Sequence, residues 1–329
     1  MRFQKIALLI SVNAAIVLAQ PYGTVTGLPI ASEPLTPVGV NSTDIVVGAG
    51  PQAGAPLVLE GGSTVNTGYQ SGVAVAVNDS GTVLVDTYLG SIAFKRFRAA
   101  TWNNGTATLL GAYPSATGTW GAAINSLGDV AGIAYFSTAP QQAFLLTGGG
   151  FTALGTLPGY AYASAVGIND SDQIAGTAYG SSPNHAFLFQ SGALTDLGVL
   201  PNTYNSYATG INDSSVVVGY CYDGLDNHAF VYSSGGMTSL GTLPGDAGSV
   251  ANSINGAGTI VGTSIGASGQ SRGFVYRNGV IYDLNSLVPP NSGWMLSTAA
   301  WVSNNDDVVG DGTYNGTKMA FLLHLPYLP

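Results

Sequence analysis

An apolar residue, a short polar turn, a β-branched run and, eight places on, a glycine: this hydrophobic and polar pattern recurs along the chain. Seven anchors carry it: Val40 (VNSTDIVVG), Val77 (VNDSGTVLV), Ile124 (INSLGDVAG), Ile168 (INDSDQIAG), Ile211 (INDSSVVVG), Ile254 (INGAGTIVG) and Val302 (VSNNDDVVG). They are spaced 37, 47, 44, 43, 43 and 48 residues apart, and only the second unit replaces the glycine, with Val85. Each unit divides into four strand-like pieces, as in unit five: YATGI, VVVGYCY, HAFVYSS and MTSLGTL.

The punctuation between the pieces sets the topology. Asn-Asp-Ser follows the first piece and is a type I turn sequence whose side chains bond to nearby backbone. SGG, NNG, RNG or QSG follows the third, as in Gly-containing hairpin turns. The unit therefore reads as a four-stranded antiparallel meander. The glycine of the second strand (Gly48, Gly132, Gly176, Gly219, Gly262, Gly310) is expected where a ring, the Phe of the third strand, must come close.

Four strands in about 40 to 45 residues, repeated, is the signature of a β-propeller. The ends agree, because unit seven stops after its third strand, MAFLLHL, while the N-terminal PYGTVTGLP precedes unit one as MTSLGTLP precedes unit six. The predicted fold is an all-β, seven-bladed propeller of four-stranded antiparallel blades. The ring is closed by the N-terminal strand completing the last blade. An open β-solenoid would neither need nor explain matching incomplete ends.

Composition adds the compartment. MRFQKIALLISVNAAIVLA, residues 1–19, pairs Arg2 and Lys5 with an apolar run and small residues before the expected cleavage point, which predicts a secretory signal peptide. Residues 20–329 then form one propeller domain, exported and secreted or periplasmic. No later stretch has the 18 or so uninterrupted apolar residues of a membrane span. Without Arg2 and Lys5, six basic side chains face 17 acidic ones, a formal charge of −11. Such a surface repels phosphate backbones and anionic lipid, so neither nucleic acid nor membrane insertion is expected. Only 8% of residues are charged and 47 of 329 are Gly, which suits short strands joined by tight turns. Cys221 stands alone in VVVGYCY, excludes an internal disulfide framework and reads as a small buried hydrophobe.

The chain resembles the HAF-repeat family of probable extracellular repeat proteins. The resemblance lies in HAFLFQSGALTDLG (185–198), HAFVYSSGGMTSLG (228–241), the IND turns and the closing segment from YDLNSLVPP to MAFLLHL. It weakens in the first two units, where APLVLEGG and RAATWNNG replace the HAF segment. What it implies is export and a repeated β architecture; it carries no catalytic residues.

His185 and His228 share a repeat position, but that column also holds Ala55, Arg98, Gln142, Arg272 and Met319, so it reads as a polar opening of the third strand. Asn78, Asn125, Asn169, Asn212 and Asn255, with Asp79, Asp170 and Asp213, read as turn caps. NDSD (169–172) and NNDD (304–307) lack the alternation of an EF-hand loop. The same turns create glycosylation sequons at Asn78, Asn169 and Asn212. Asp86 and Asp311 follow the glycine position and read as solvated strand ends, with a cleft-flanking pair as the other option. No GxSxG, HExxH, CxxC or phosphate loop is found, so no cofactor, metal or catalytic residue is assigned.

In an antiparallel blade the turns after strands one and three share one face, and the loops after strands two and four share the other. The second set varies, and binding resides where a repeat scaffold varies. These loops deliver Tyr69, Tyr113, Trp120, Tyr160, Tyr162, Tyr204, Tyr207 and Trp294, while the loop in unit five adds Tyr222, Asp223 and Asp226. Flat rings beside carboxylates suit a saccharide. The predicted ligand-binding set is Trp120, Tyr160, Tyr162, Tyr204, Tyr207, Tyr222, Asp223, Asp226 and Trp294. The expected protein is a monomeric, non-catalytic binder of an extracellular glycan or protein surface. A glycoside hydrolase or lyase using Asp223 or Asp226, and a protein-interaction or envelope scaffold, are the alternatives.

Overall fold

The computed structural model of the chain describes residues 22–28, 36–49, 56–69, 71–89, 96–180 and 183–328. The signal peptide expected over residues 1–19 lies outside them. Within them, regular structure is β throughout except for one 3-10 turn at Leu284–Ser286. Unit five shows the local logic: Asn205–Ile211, Val217–Tyr222, Asn227–Ser233 and Gly236–Ser239 pair in that order, each antiparallel to the last. Units one to six all form such four-stranded sheets, and the innermost strand of unit one packs against Asp307–Tyr314 of unit seven to complete a ring.

The seventh blade is closed as the chain ends predict. Trp294–Leu296 and Trp301–Val302 both pair with Asp307–Tyr314, which pairs with Thr317–His324, which pairs with the N-terminal strand Thr24–Gly27. The register sets Val25 opposite Leu323 and Gly27 opposite Phe321. The Gly23 N–H donates to the Leu287 carbonyl at 2.7 Å and the Leu28 N–H to the Ala320 carbonyl at 3.0 Å, fastening both ends of that strand.

The core lies between blades, so every blade is half of two cores. Ala175, Ala186 and Leu188 of blade four pack against Leu200, Val217, Cys221 and Phe230 of blade five. Phe144, Phe187, Phe230, Phe274 and Phe321 are fully buried, each worth roughly 2 to 3 kcal/mol of transfer free energy. The repeat glycine stands against these rings. A Cβ at Gly176 would overlap the Phe187 ring and the Ser164 carbonyl, and one at Gly219 would overlap the Phe230 ring and the Tyr207 carbonyl. Blade two accounts for its own exception: Val85 pairs with Ala100 there, a methyl where the other rings stand.

Each of the innermost strands of blades one to six carries a register shift at the same repeat position, between Ala208 and Gly210 in blade five and between Ala165 and Gly167 in blade four, and blade six adds a second between Asp246 and Gly248. The bulged residues Val166 and Thr209 line the central channel beside the anchor residues Ile168 and Ile211. There Thr209 Oγ1 donates to the Ala251 carbonyl at 2.7 Å and Asn252 Nδ2 to the Ala299 carbonyl at 2.8 Å, each reaching the next blade.

Candidate functional site

The two ends of the ring are chemically distinct. On the turn face the repeat asparagine caps its own turn: Asn212 Oδ1 accepts from the Val216 N–H at 3.1 Å, as Asn78 Oδ1 does from Thr82 at 2.9 Å. The other end of the amide crosses to the next blade. Asn41 donates to the Asn78 carbonyl (3.0 Å), Asn78 to Asn125 (2.8 Å), Asn125 to Asn169 (3.1 Å), Asn169 to Asn212 (3.0 Å), Asn212 to Asn255 (3.0 Å) and Asn255 to Ser303 (2.8 Å). The turn-cap reading therefore holds, and the structure adds a belt of six inter-blade bonds that no single repeat reveals. These asparagines are buried with both ends of the amide bonded, which withdraws the sequons at Asn78, Asn169 and Asn212 from the surface. The neighbouring acids at the channel mouth are also committed: Asp79, Asp170 and Asp213 accept the N–H of Ser42, Ser126 and Asp170 at 2.9 Å.

On the loop face the rings gather between blades three and four. Tyr135, Phe136, Gln141, Tyr162, Ser164 and Tyr179 line a recess of about 380 Å³. Tyr135 and Tyr179 end the second strands of their blades, Tyr162 opens the innermost strand of blade four, and Gln141 Nε2 donates to Ser164 Oγ at 2.9 Å beside them. Aromatic packing extends both ways. Trp120 stands 4.6 Å from Phe97 and 6.0 Å from Tyr135 in edge-on contacts, and Tyr207 stacks on Tyr220 at 5.0 Å with Asn184 Nδ2 donating to its hydroxyl. Burial, helped by the nearness of Tyr207, raises the Tyr179 phenol above its ordinary range, and burial followed by the Asp86 charge does so for Tyr135. The phenols of Tyr135 and Tyr179 are therefore neutral donors at physiological pH.

The predicted ligand residues fall into four places. Tyr162 lines the recess, with Trp120 and Tyr207 flanking it. Tyr204, Tyr222, Asp223 and Asp226 belong to a second group at the hairpin loop of blade five, where the Tyr222 hydroxyl donates to the Gly224 carbonyl at 2.8 Å and Tyr204 is 62% exposed. Tyr160 turns to the blade edge, its ring 5.9 Å from His185. Trp294 is in blade seven, packed on Tyr314 at 5.2 Å and Phe321 at 6.4 Å. Sequence reasoning missed Tyr135 and Tyr179. Both stand three places after the repeat glycine, a register also holding Tyr222, so the signal was present.

Several polar side chains are fully engaged in the scaffold. Asp223 accepts from His228 Nε2 and from the Leu225 and Asp226 N–H groups, all at 2.8 Å. His228, then those amides, hold its carboxyl well below the usual carboxylate range. His185 is tied to Asp196 at 2.8 Å and Arg272 to Asp283 at 2.9 Å, one structural pairing of third and fourth strands. Cys221 is buried, and burial pushes its thiol up.

Asp86 overturns its expectation of a solvated strand end. Its side chain is wedged between blades two and three at 2% exposure, with Oδ1 accepting the Gly121 N–H at 2.8 Å and Oδ2 buried without a partner. Burial pushes its pKa up to about 7, against the lowering effect of that one amide. The indole N–H of Trp120, the residue next to Gly121, is likewise buried without a partner.

No family model and no curated protein sequence matches the chain. Solved structures match by shape. An oligogalacturonate lyase from Vibrio parahaemolyticus superposes with TM-score 0.58 at 10% identity, over 91% of this chain and 93% of that one. A streptogramin B lyase gives 0.55 at 13% over 93% and 99%, and the β-propeller domain of the Trilobed protease from Pyrococcus furiosus gives 0.55 at 9% over 74% and 82%. At such identities the likeness establishes the β-propeller fold. Among the described residues, no helix is long and apolar enough to cross a membrane.

Proposed function

We propose that the protein is an exported, non-catalytic binding module that takes a saccharide in the aromatic recess between blades three and four. The observation that carries this reading is the recess itself: Tyr135, Phe136, Tyr162 and Tyr179 around the Gln141 and Ser164 pair. Ring faces offer flat apolar surface to sugar C–H groups, while phenol, amide and hydroxyl groups exchange hydrogen bonds with sugar hydroxyls. Trp120 and Tyr207 on either flank extend the platform beyond one sugar unit. The acidic chain suits neutral or cationic saccharides over polyanionic ones. Export is supported by the N-terminal segment and by the HAF-type repeats. The acids first suspected of catalysis, Asp223 and Asp226, belong to the blade-five hairpin, where Asp223 has its carboxylate committed to the turn and to His228.

The test is a polysaccharide and glycan array probed with residues 20–329 and with a Tyr162→Ala, Gln141→Ala variant. The expected result is selective binding by the unmutated chain that falls at least about tenfold in the variant. Array-wide silence removes the saccharide reading, and release of shortened product from a bound polysaccharide replaces binding by catalysis.

A further inference from the structure

Six of the seven seams between blades carry the belt asparagine; at the seam between blades seven and one Ser303 stands in its place, and the crossing bond comes from Asn305 Nδ2, which donates to the Ser42 carbonyl at 2.6 Å. At the same seam lies a group of metal-ligating side chains. Asp44, Asp307 and His324 each offer one ligand atom, and the three atoms lie within 4.8 Å of one another. Asp44 belongs to the first turn of blade one, Asp307 opens the second strand of blade seven, and His324 closes its third. Asp307 and His324 are direct cross-strand partners, and His324 is paired on its other side with Thr24 of the closing N-terminal strand.

The repeat supplies its own controls. At several seams the third residue after the belt position in one blade approaches the fourth residue after it in the preceding blade. Between blades four and five these are Ser215 and Gln173, donor to acceptor at 2.7 Å; between six and seven they are Asp306 and Thr259, at 2.8 Å. Between blades seven and one both are carboxylates, Asp44 and Asp307, with an imidazole beside them. The pair Asp172 and Asp129 between blades three and four is also acidic, but it has no histidine and the belt amide of Asn125 reaches Asp172 at 3.4 Å. Two facing carboxylates repel unless a positive charge is placed between them.

We propose that Asp44, Asp307 and His324 bind a divalent transition-metal ion of the zinc class, which joins blade one to blade seven at the seam whose belt position is a serine. One imidazole and two carboxylates are a nitrogen and oxygen donor set suited to zinc, and three protein ligands leave a position for water. His324 Nδ1 is now hydrogen-bonded to Asp307. Metal binding replaces that bond with two bonds to the ion and releases the proton it holds to solvent. The role is structural, since the ion clamps the two chain ends at which the ring is closed.

The experiment uses the purified chain, stripped with chelator and dialysed. Zinc is titrated by calorimetry and thermal unfolding is followed with zinc, with calcium and with chelator; cobalt supplies a visible absorption band as a second reading. One zinc per chain, a rise of at least about 5 °C in Tm with zinc and a smaller rise with calcium are expected. Asp44→Asn, on an exposed turn that leaves the Asp307 and His324 pair intact, should fold normally and lose at least about tenfold in zinc affinity. His324→Gln should abolish the cobalt band. Absence of stoichiometric zinc, or zinc uptake unchanged in both Asp44→Asn and His324→Gln, overturns the proposal.

Discussion

On the turn face, Asn41 to Asn255 use both ends of their amides on the scaffold, one inside the blade and one across to the next. On the loop face, Tyr162 at 37% and Tyr204 at 62% exposure present rings to solvent. The difference follows from strand geometry. The turn after the innermost strand sits near the axis, where seven copies crowd together and polar groups must find partners or lose stability. The loops leading into the innermost strands start from the outer edge of the previous blade and cross open surface. Their length varies without disturbing the ring, and the residues they deliver are free to serve a ligand. Regularity therefore marks the face that holds the ring together, and irregularity the face on which we propose binding.

The largest effect should come from the belt. Asn212→Ala removes the turn cap and leaves the Asn255 carbonyl without its donor, so unfolding in urea should show a loss of about 3 kcal/mol. A loss below about 0.5 kcal/mol would end the contrast between the faces.

Next comes Asp86, a buried acid beside the loop-face rings. Its folded pKa, near 7, lies above the unfolded value of 3.8, so the native state holds its proton more tightly. Its effect on stability is then most favourable below about pH 4, declines as pH rises through the interval to 7, and is flat above it. Asp86→Asn keeps an acceptor for the Gly121 N–H and removes the charge. It should gain about 2 kcal/mol at pH 8 and flatten the stability profile between pH 4 and 7. An unchanged slope would show that Asp86 is ionised at little cost.

The smallest stability effects belong to Tyr162→Ala and Tyr204→Ala, each expected within about 0.5 kcal/mol of the parent. The first should nonetheless weaken saccharide binding. Loss of stability on the scale of Asn212→Ala would make these rings structural and erase the distinction.

How much of this was legible beforehand follows the same division. The seven blades, the closing strand and the glycine beside each Phe could be read because they repeat or complete one another within the chain. The belt could be read only in half, since the cap lies within one repeat and the donor's target 37 to 48 residues away in the next. Asp86 was misread because a strand pattern does not say which side of a blade a residue turns to, and here that side is a neighbouring blade. Trp294 was placed with the ligand residues by its loop. In blade seven the innermost strand breaks into Trp294–Leu296 and Trp301–Val302, which lays the indole against Tyr314 and Phe321. The recess was half legible: Tyr162 came from its loop, while Tyr135 and Tyr179 come from strand ends and join it only when blades three and four stand side by side.

The measurement that tests the division of the two faces most directly is amide hydrogen exchange by mass spectrometry, with saccharides titrated into residues 20–329. The account predicts protection confined to peptides containing Tyr135, Gln141, Tyr162 and Tyr179, with the turns from Asn78 to Asn255 unchanged. Protection at those turns, or no protection anywhere with any saccharide, would contradict it.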